Sequence, residues 1–91
     1  MLVLPAELTH DEATACARML AQALRSENGP QVVADASSLQ HFDSSALAVL
    51  LECRREAAAL GKTFVVSGLS SRLRELAGVY GVSELLAAPS A

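Results

Sequence analysis

Short apolar runs alternate along this chain with longer segments in which apolar residues recur every three or four positions. The short runs are too brief for helices and end at turn residues, so they predict strands. They cover residues 1–4, 31–36 and 63–67. The longer segments have the period of amphipathic helices and cover residues 10–27, 44–60 and 69–80. Strands that alternate with helices predict an α/β fold with helices packed on a sheet.

Residues that favour helix ends mark the boundaries of the first predicted helix. Thr9 and Glu12 fit a capping box at the start of the first helix, and Asn28-Gly29-Pro30 ends it. Residues 82–87 are compatible with a last short strand or with a helical turn. We expect residues 1–88 to form a single domain and residues 89–91 to form a loose tail.

The segment 41–51 has an abrupt change from polar to apolar residues, His-Phe-Asp-Ser-Ser followed by Ala-Leu-Ala-Val-Leu-Leu. A loop is expected to become a helix here, because Asp43 or Ser44 can accept hydrogen bonds from free N–H groups of the first turn. The helix dipole also favours acidic or phosphorylated groups at this end. The strand–loop–helix junction at Ser44 is therefore the candidate functional site.

On a helical wheel, the second helix carries more apolar surface than one sheet face can cover. One arc holds Ala46, Val49, Leu50, Cys53, Ala57 and Leu60. Leu47 and Leu51, one turn apart, fall about 100–140° from the centre of that arc. Two interpretations remain open. Either helix 69–80 or the flank of helix 10–27 covers these leucines, or they form a partner-binding patch beside Ser44.

Charge and composition exclude several classes of function. The net charge is −3 and the basic residues are dispersed, which argues against nucleic-acid binding. Cys16 and Cys53 fall at apolar helical positions without further ligands at zinc spacing, so two buried free thiols are expected and no metal. No apolar run is long enough to span a membrane, which predicts a cytoplasmic protein.

Catalysis is not expected from the polar residues of the chain. Asp35 and Asp43 could be imagined as a phosphoryl-transfer or metal pair, but we expect each to cap a loop or a helix. His41 lies in a predicted loop without an evident base or nucleophile partner. No glycine-rich phosphate loop is present, so the sequence predicts a non-enzymatic protein without a cofactor.

The segment Asp-Ala-Ser-Ser-Leu-Gln-His-Phe-Asp-Ser-Ser-Ala-Leu at 35–47 resembles the signature of STAS domains, the sulfate-transporter and anti-sigma-factor-antagonist modules. The resemblance covers nearly the whole chain and implies a small mixed β-sheet with helices packed on it. In the anti-sigma antagonists, the Ser or Thr after the second Asp is phosphorylated by a partner kinase, which breaks the complex. That position is Ser44, so the resemblance implies a phosphoacceptor there.

Within this family, residues 68–86 are similar to the MlaB-type STAS subunit of the Mla phospholipid-transport ABC complex. That similarity implies a cytoplasmic subunit that binds an ABC ATPase and is peripheral to the membrane through it. The alternative partner is an anti-sigma factor kinase. The expected partner-binding residues are Asp43, Ser44, Ser45, Leu47 and Leu51, and Asp35 and His41 are expected to support the loop.

The chain departs from the family pattern in two places. The family normally has a further N-terminal strand before the run at 1–4, for which this chain has no room. We therefore expect a truncated start, or a sheet edge that is exposed or pairs with another chain in self-association. Ala46 replaces the more usual Gly, which makes close backbone approach by a partner less easy.

Overall fold

A computed structural model of the chain describes residues 2–86. Its strands are β1 (Leu2–Val3), β2 (Glu7–Leu8), β3 (Gln31–Asp35), β4 (His41–Phe42) and β5 (Thr63–Ser67). Its helices are α1 (His10–Ser26), α2 (Ser44–Ala59), α3 (Ser71–Val79) and α4 (Ser83–Leu86). The alternation predicted from the sequence is confirmed, with helix and strand ends within about two residues of expectation.

The main sheet has three strands in the order β1-β3-β5, and both of its pairings are parallel. Side chains alternate between its faces, so Val32 and Ala34 of β3 lie beside Phe64 and Val66 of β5 on the buried side. We expected a mixed sheet, but every pairing within residues 2–86 is parallel. Each pairing joins strands separated by a helix, which is the connection that parallel strands need.

A second, two-stranded sheet was not predicted. Glu7 and Leu8 of β2 pair in parallel with His41 and Phe42 of β4. His41 therefore lies in a strand, whereas the sequence placed it in a loop. The pairing fixes the segment before Ser44 to the N-terminal part of the chain, so the position of the junction depends on residues 33 or more positions earlier.

The core lies between the main sheet and the pair α1 and α2, which pack on each other, with α2 also packing on β5. The predicted stripe of α1 is confirmed, with Cys16, Leu20 and Leu24 buried. The predicted arc of α2 is buried except for its last member, Leu60, which follows the helix and is 44% exposed.

The burial of Leu47 contradicts the interpretation in which this side chain belongs to an exposed partner-binding patch. Its side chain is only 4% exposed and belongs to the core, whereas Leu51 is half-buried against it. The physical reason is that the chain turns back after α3, so that α4 packs on α2 and Val82 packs against the core. The structure thus favours the first of the two open interpretations for Leu47, with the cover coming from just beyond the predicted helix 69–80.

The third helix is shorter than its predicted stripe. Leu73 and Ala77 are buried, but Tyr80 lies at the C-cap and is 58% exposed, so it is not a core residue. The undecided region 82–87 contains the short helix α4 up to Leu86, and its last residue lies outside the described part. The expected tail at 89–91 also lies outside it.

Two further observations concern the described residues as a whole. Cys16 and Cys53 are free and buried, and burial raises the pKa of both thiols, that of Cys53 to about 12. Between residues 2 and 86, no helix combines the length and the apolar character that crossing a bilayer requires.

Candidate functional site

One carboxylate, that of Asp43, accepts hydrogen bonds at the start of two helices. Its Oδ1 accepts from the backbone N–H of Ser45 at 2.8 Å, in the first turn of α2. Its Oδ2 accepts from the backbone N–H of His10 at 3.0 Å, at the first residue of α1. The predicted capping role of Asp43 is confirmed, and the same side chain also ties α1 to α2.

The electrostatics of Asp43 follow from these bonds. The hydrogen bond from the N–H of His10 stabilises the charged form most, and the bond from the N–H of Ser45 adds to it. Together they lower the pKa of the Asp43 carboxyl below its usual value. Two helix N-termini add favourable dipole potential at the same place. Asp43 is thus a charged structural residue at neutral pH, and its oxygens are already engaged.

Ser44, the first residue of α2, is exposed. Its hydroxyl makes no hydrogen bond to any other residue in the range 2–86, whereas its neighbours on both sides take part in the cap. A hydroxyl in this position is accessible to another protein and has its hydrogen-bonding capacity free for it. Asp43 therefore caps the helix, whereas the side chain of Ser44 faces solvent.

Ser44 borders a groove of about 500 Å³ between the start of α2 and one side of α3, which we call the Phe42 groove. Its lining combines an aromatic and aliphatic wall with three charged side chains. The lining residues are Phe42, Asp43, Ser44, Arg72, Glu75, Leu76, Val79 and Tyr80. The Arg72 guanidinium carbon lies 5.4 Å from the centre of the Phe42 ring, which is a cation–π arrangement.

A second depression of about 270 Å³, here called the Leu51 hollow, adjoins Ser44 on the other side. It is lined by Ser44, Leu47, Ala48, Leu51, Tyr80 and Val82. Leu47 forms part of its floor, since that side chain is almost completely buried, whereas Leu51 is partly accessible. Ser44 and Tyr80 line both depressions, so they mark the ridge between them.

Ser45 does not share the surroundings of Ser44. It is half-buried and lines a cleft of about 350 Å³ between α1 and α2, together with His10, Ala48 and Glu52. Consecutive residues of a helix lie about 100° apart, so the two serines face different sides of α2. The structure therefore separates Ser45 from the surface that Ser44 and Leu51 share.

Asp35 and His41, which we expected to support the loop, do not line the Phe42 groove. Asp35 ends β3 and accepts a hydrogen bond from the backbone N–H of Ser37 at 2.9 Å, which lowers the pKa of its carboxyl. The predicted loop-capping role of Asp35 is thus confirmed. The backbone N–H of His41 donates to the carbonyl of Ala6 at 3.0 Å, while its side chain is exposed.

Sequence reasoning missed the apolar wall that α3 contributes. Val79 is 82% exposed and Tyr80 is 58% exposed, and both line the Phe42 groove. One signal was present: Gly81 marks the end of the helix directly after Tyr80. The proximity of this helix end to Ser44 had no local signal, because it depends on how α3 is placed on the core.

Two observations concern the acidic and metal-ligating side chains of the described residues. No group of three or more His, Cys, Asp and Glu side chains in residues 2–86 is arranged to hold a metal ion. The Asp43 carboxylate, the acid nearest to Ser44 in sequence, is held by two backbone N–H groups rather than by a base or nucleophile.

Comparison with solved structures supports the fold. An anti-sigma-factor antagonist (STAS) domain protein from Planctomyces limnophilus matches 98% of this chain and 80% of its own, with a TM-score of 0.78 and 20% identity. The anti-sigma factor antagonist SpoIIAA in its unphosphorylated form matches 97% of this chain and 76% of its own, with a TM-score of 0.74 and 18% identity. The TM-scores establish a shared fold.

No match was found among curated proteins. A family model described as the MlaB STAS domain matches residues 1–87, which is almost the entire sequence. The strand–loop–helix junction, the parallel sheet and the two structural neighbours agree with this match. The chain therefore belongs to the MlaB-type STAS domain family.

Proposed function

We propose that this protein is a non-enzymatic, cytoplasmic interaction subunit that binds the ATPase of an ABC-type phospholipid transporter. The contact surface is the Ser44 ridge, defined as Ser44 and Tyr80 with the Phe42 groove on one side and the Leu51 hollow on the other. The membrane association of the protein is indirect, through that ATPase.

The observation that carries the proposal is an exposed hydroxyl set between two depressions that each have apolar walls. Val79 and Tyr80 leave large side chains in water, and each large apolar side chain of this kind forgoes roughly 1.5–3 kcal/mol of burial. A partner that covers them recovers this energy. The adjacent Ser44 hydroxyl supplies a polar contact that fixes the register of the partner on the apolar surface.

Leu51 and Leu47 enter the proposal in different ways. Leu51 is partly accessible in its hollow, so a partner can touch it directly. Leu47 is buried, so its contribution is to support the floor of the same hollow. Asp43 and Ser45 act through the cap that fixes the first turn of α2, rather than through contact with the partner.

A second function shares this surface, namely an anti-sigma-factor antagonist that is switched by phosphorylation of Ser44. The exposure and free hydrogen-bonding capacity of the Ser44 hydroxyl favour it, because a kinase needs both. In that reaction the phosphoryl group of ATP replaces the hydroxyl proton of Ser44, and ADP and a proton are released. The added charge of about −1.5 to −2 would weaken a contact with an apolar partner surface.

The test is capture of partners from the host cell with the tagged protein, followed by mass spectrometry. We expect an ABC ATPase to be enriched by the wild type and lost with Ser44→Glu and Leu51→Asp. Ser71→Glu is the matched control, because Ser71 is also an exposed first residue of a helix but does not border either depression. It should retain the ATPase.

Other outcomes decide between the functions. Enrichment of an anti-sigma factor kinase in place of the ATPase supports the second function. Capture of an ATPase that is equally strong with Ser44→Glu, Leu51→Asp and the control removes the Ser44 ridge as the contact surface. Circular dichroism of each variant is recorded alongside, since Leu51 also packs against the core.

A further inference from the structure

We propose that Arg72 is the internal receptor of a phosphate group on Ser44, which it binds by leaving the face of the Phe42 ring. The inference deepens the phosphorylation branch of the proposed function and rests on it. Arg72 thereby acquires a positioning role at the Ser44 ridge that had no signal in the sequence.

The backbone N–H groups at the start of α2 are possible donors to a phosphate on Ser44. A helix N-terminus ordinarily supplies free N–H groups to a phosphate. Here the N–H of Ser45 donates to the Asp43 carboxylate at 2.8 Å, and the N–H of Ala46 donates to the Asp43 carbonyl at 3.0 Å. The carboxylate also offsets the dipole of the helix. Two N–H groups of the first turn of α2 are therefore already engaged before a phosphate arrives.

Within the described residues, two negative charges and one positive charge line the Phe42 groove beside Ser44. The Phe42 groove contains the carboxylates of Asp43 and Glu75, which repel a phosphate, and one cation among its described lining residues, Arg72. A phosphate on Ser44 would enter this groove with a charge of about −1.5 to −2. Arg72 is then the group that compensates it, and a guanidinium suits phosphate oxygens because it can donate two parallel hydrogen bonds.

The guanidinium of Arg72 is available to bind a phosphate. Its side chain is exposed, and it forms no ion pair with the carboxylates of the described residues, although Glu75 lies one turn further along α3. Its described interaction is the one with the Phe42 ring at 5.4 Å. An exposed cation–π contact is worth only about 0.5–1 kcal/mol, so a phosphate competes well with it.

The consequence is a change in the groove wall without a change in the fold. When Arg72 turns to the phosphate, the face of Phe42 that it covered becomes accessible, and the guanidinium no longer lines the path to that ring. A partner fitted to the unmodified groove would meet a different arrangement of charge and aromatic surface.

The test uses the full chain with phosphoserine encoded genetically at position 44, so that neither a kinase nor an ATPase is needed. The second pKa of the phosphate is followed by ³¹P NMR in the parent, in Arg72→Gln and in Arg74→Gln. Arg74 is the matched control, because it lies on the same helix but contacts the carbonyl of Leu69 and does not line the groove.

We expect Arg72→Gln to raise the phosphate pKa by about half a unit or more, and Arg74→Gln to raise it by clearly less. We also expect the ring-current shift of the Arg72 δ-protons, present in the unmodified protein, to disappear on phosphorylation. An unchanged pKa in Arg72→Gln, equal effects of both substitutions, or a retained ring-current shift would each overturn the proposal. None of these results depends on whether an ATPase is captured, so the two proposals can fail separately.

Discussion

The carboxylate of Asp43 and the backbone N–H of His10 are joined by a 3.0 Å hydrogen bond across 33 positions of sequence. Asp43 thus does more than cap its own helix. It sets the start of α1 against the start of α2, beside the exposed Ser44. The polar residue with the strongest sequence signature in this region is therefore primarily a structural tie.

Removal of this tie should destabilise the protein in graded fashion. Asp43→Ala loses the bonds to His10 and Ser45 together, whereas Asp43→Asn keeps one amide oxygen as an acceptor. We expect a lower midpoint of thermal unfolding for both variants, with the larger drop for Asp43→Ala. An alanine variant as stable as the wild type would show that the two bonds contribute nothing net.

The same carboxyl predicts a dependence on pH. Because folding lowers the pKa of Asp43, its stabilising contribution is present above the unfolded pKa of about 3.9 and is lost as the pH falls through the folded value. The difference in free energy of unfolding between wild type and Asp43→Asn should therefore shrink below about pH 4. Urea titrations at pH 7 and pH 3 measure it, and a constant difference would contradict the assignment.

Charge placed on the apolar wall of α3 should weaken partner binding without weakening the fold. Val79 is 82% exposed, so Val79→Asp removes little burial but introduces a charge that the partner must desolvate. We expect its affinity for the captured ATPase to fall tenfold or more. Met19→Asp is the control, since Met19 is 53% exposed on α1 and borders neither depression. Equal affinities of the two variants by surface plasmon resonance would exclude this wall from the interface.

The two leucines singled out by the helical wheel should differ in their effect on stability. Leu47→Ala is expected to cost about 2–4 kcal/mol of unfolding free energy, because the side chain is buried in the core. Leu51→Ala should cost clearly less, since Leu51 keeps part of its surface in water. Denaturant unfolding compares them directly. A larger loss for Leu51→Ala would mean that the burial order of the two side chains is reversed.

Gly68 should be far less replaceable than Gly61, although the backbone conformations match, with φ of +72° and +73°. Either alanine incurs the cost of a left-handed conformation, about 1–2 kcal/mol. At Gly68 the new Cβ would also meet the backbone nitrogen of Ser37 at 2.9 Å, whereas at Gly61 nothing lies within 4 Å. Gly68→Ala should therefore be the less stable variant by about 1–3 kcal/mol. Similar chemical denaturation midpoints for the pair would contradict this close approach.

The cysteines should resist alkylation in the native state. Burial raises the pKa of the Cys53 thiol to about 12, so the reactive thiolate is scarce at pH 8. We expect labelling of the folded protein to be about a hundredfold slower than that of the unfolded chain, whose thiol has an ordinary pKa. Mass spectrometry after timed quenching gives both rates, and rapid native labelling would place a cysteine on an exposed face.

The alternation of helices and strands could be predicted because each element carries its own period. The buried residues of α1, Cys16, Leu20 and Leu24, are an example of a stripe visible without any tertiary information. By contrast, β2 and β4 are two residues long each, too short to show a period, and they exist through their pairing. The burial of Leu47 likewise could not be predicted, because it depends on the segment after α3, where α4 packs on α2 and Val82 packs against the core.

The candidate site also has features that the sequence predicts and features that it does not. The cap at Asp43 and the exposed hydroxyl at Ser44 follow from residue types at the start of a helix, so the sequence identified both. The second bond of Asp43 and the wall formed by Val79 and Tyr80 arise from the packing of distant segments. Local pattern thus located the centre of the surface, and tertiary packing determined its extent.

The position of Tyr80 gives the protein a built-in optical probe. The chain contains one tyrosine and no tryptophan, so the emission excited beyond the absorption band of phenylalanine originates from a single ring. That ring borders both depressions beside Ser44. Quenching, anisotropy or lifetime of this emission can therefore follow events at the ridge in the unlabelled protein, with a partner that lacks both tryptophan and tyrosine.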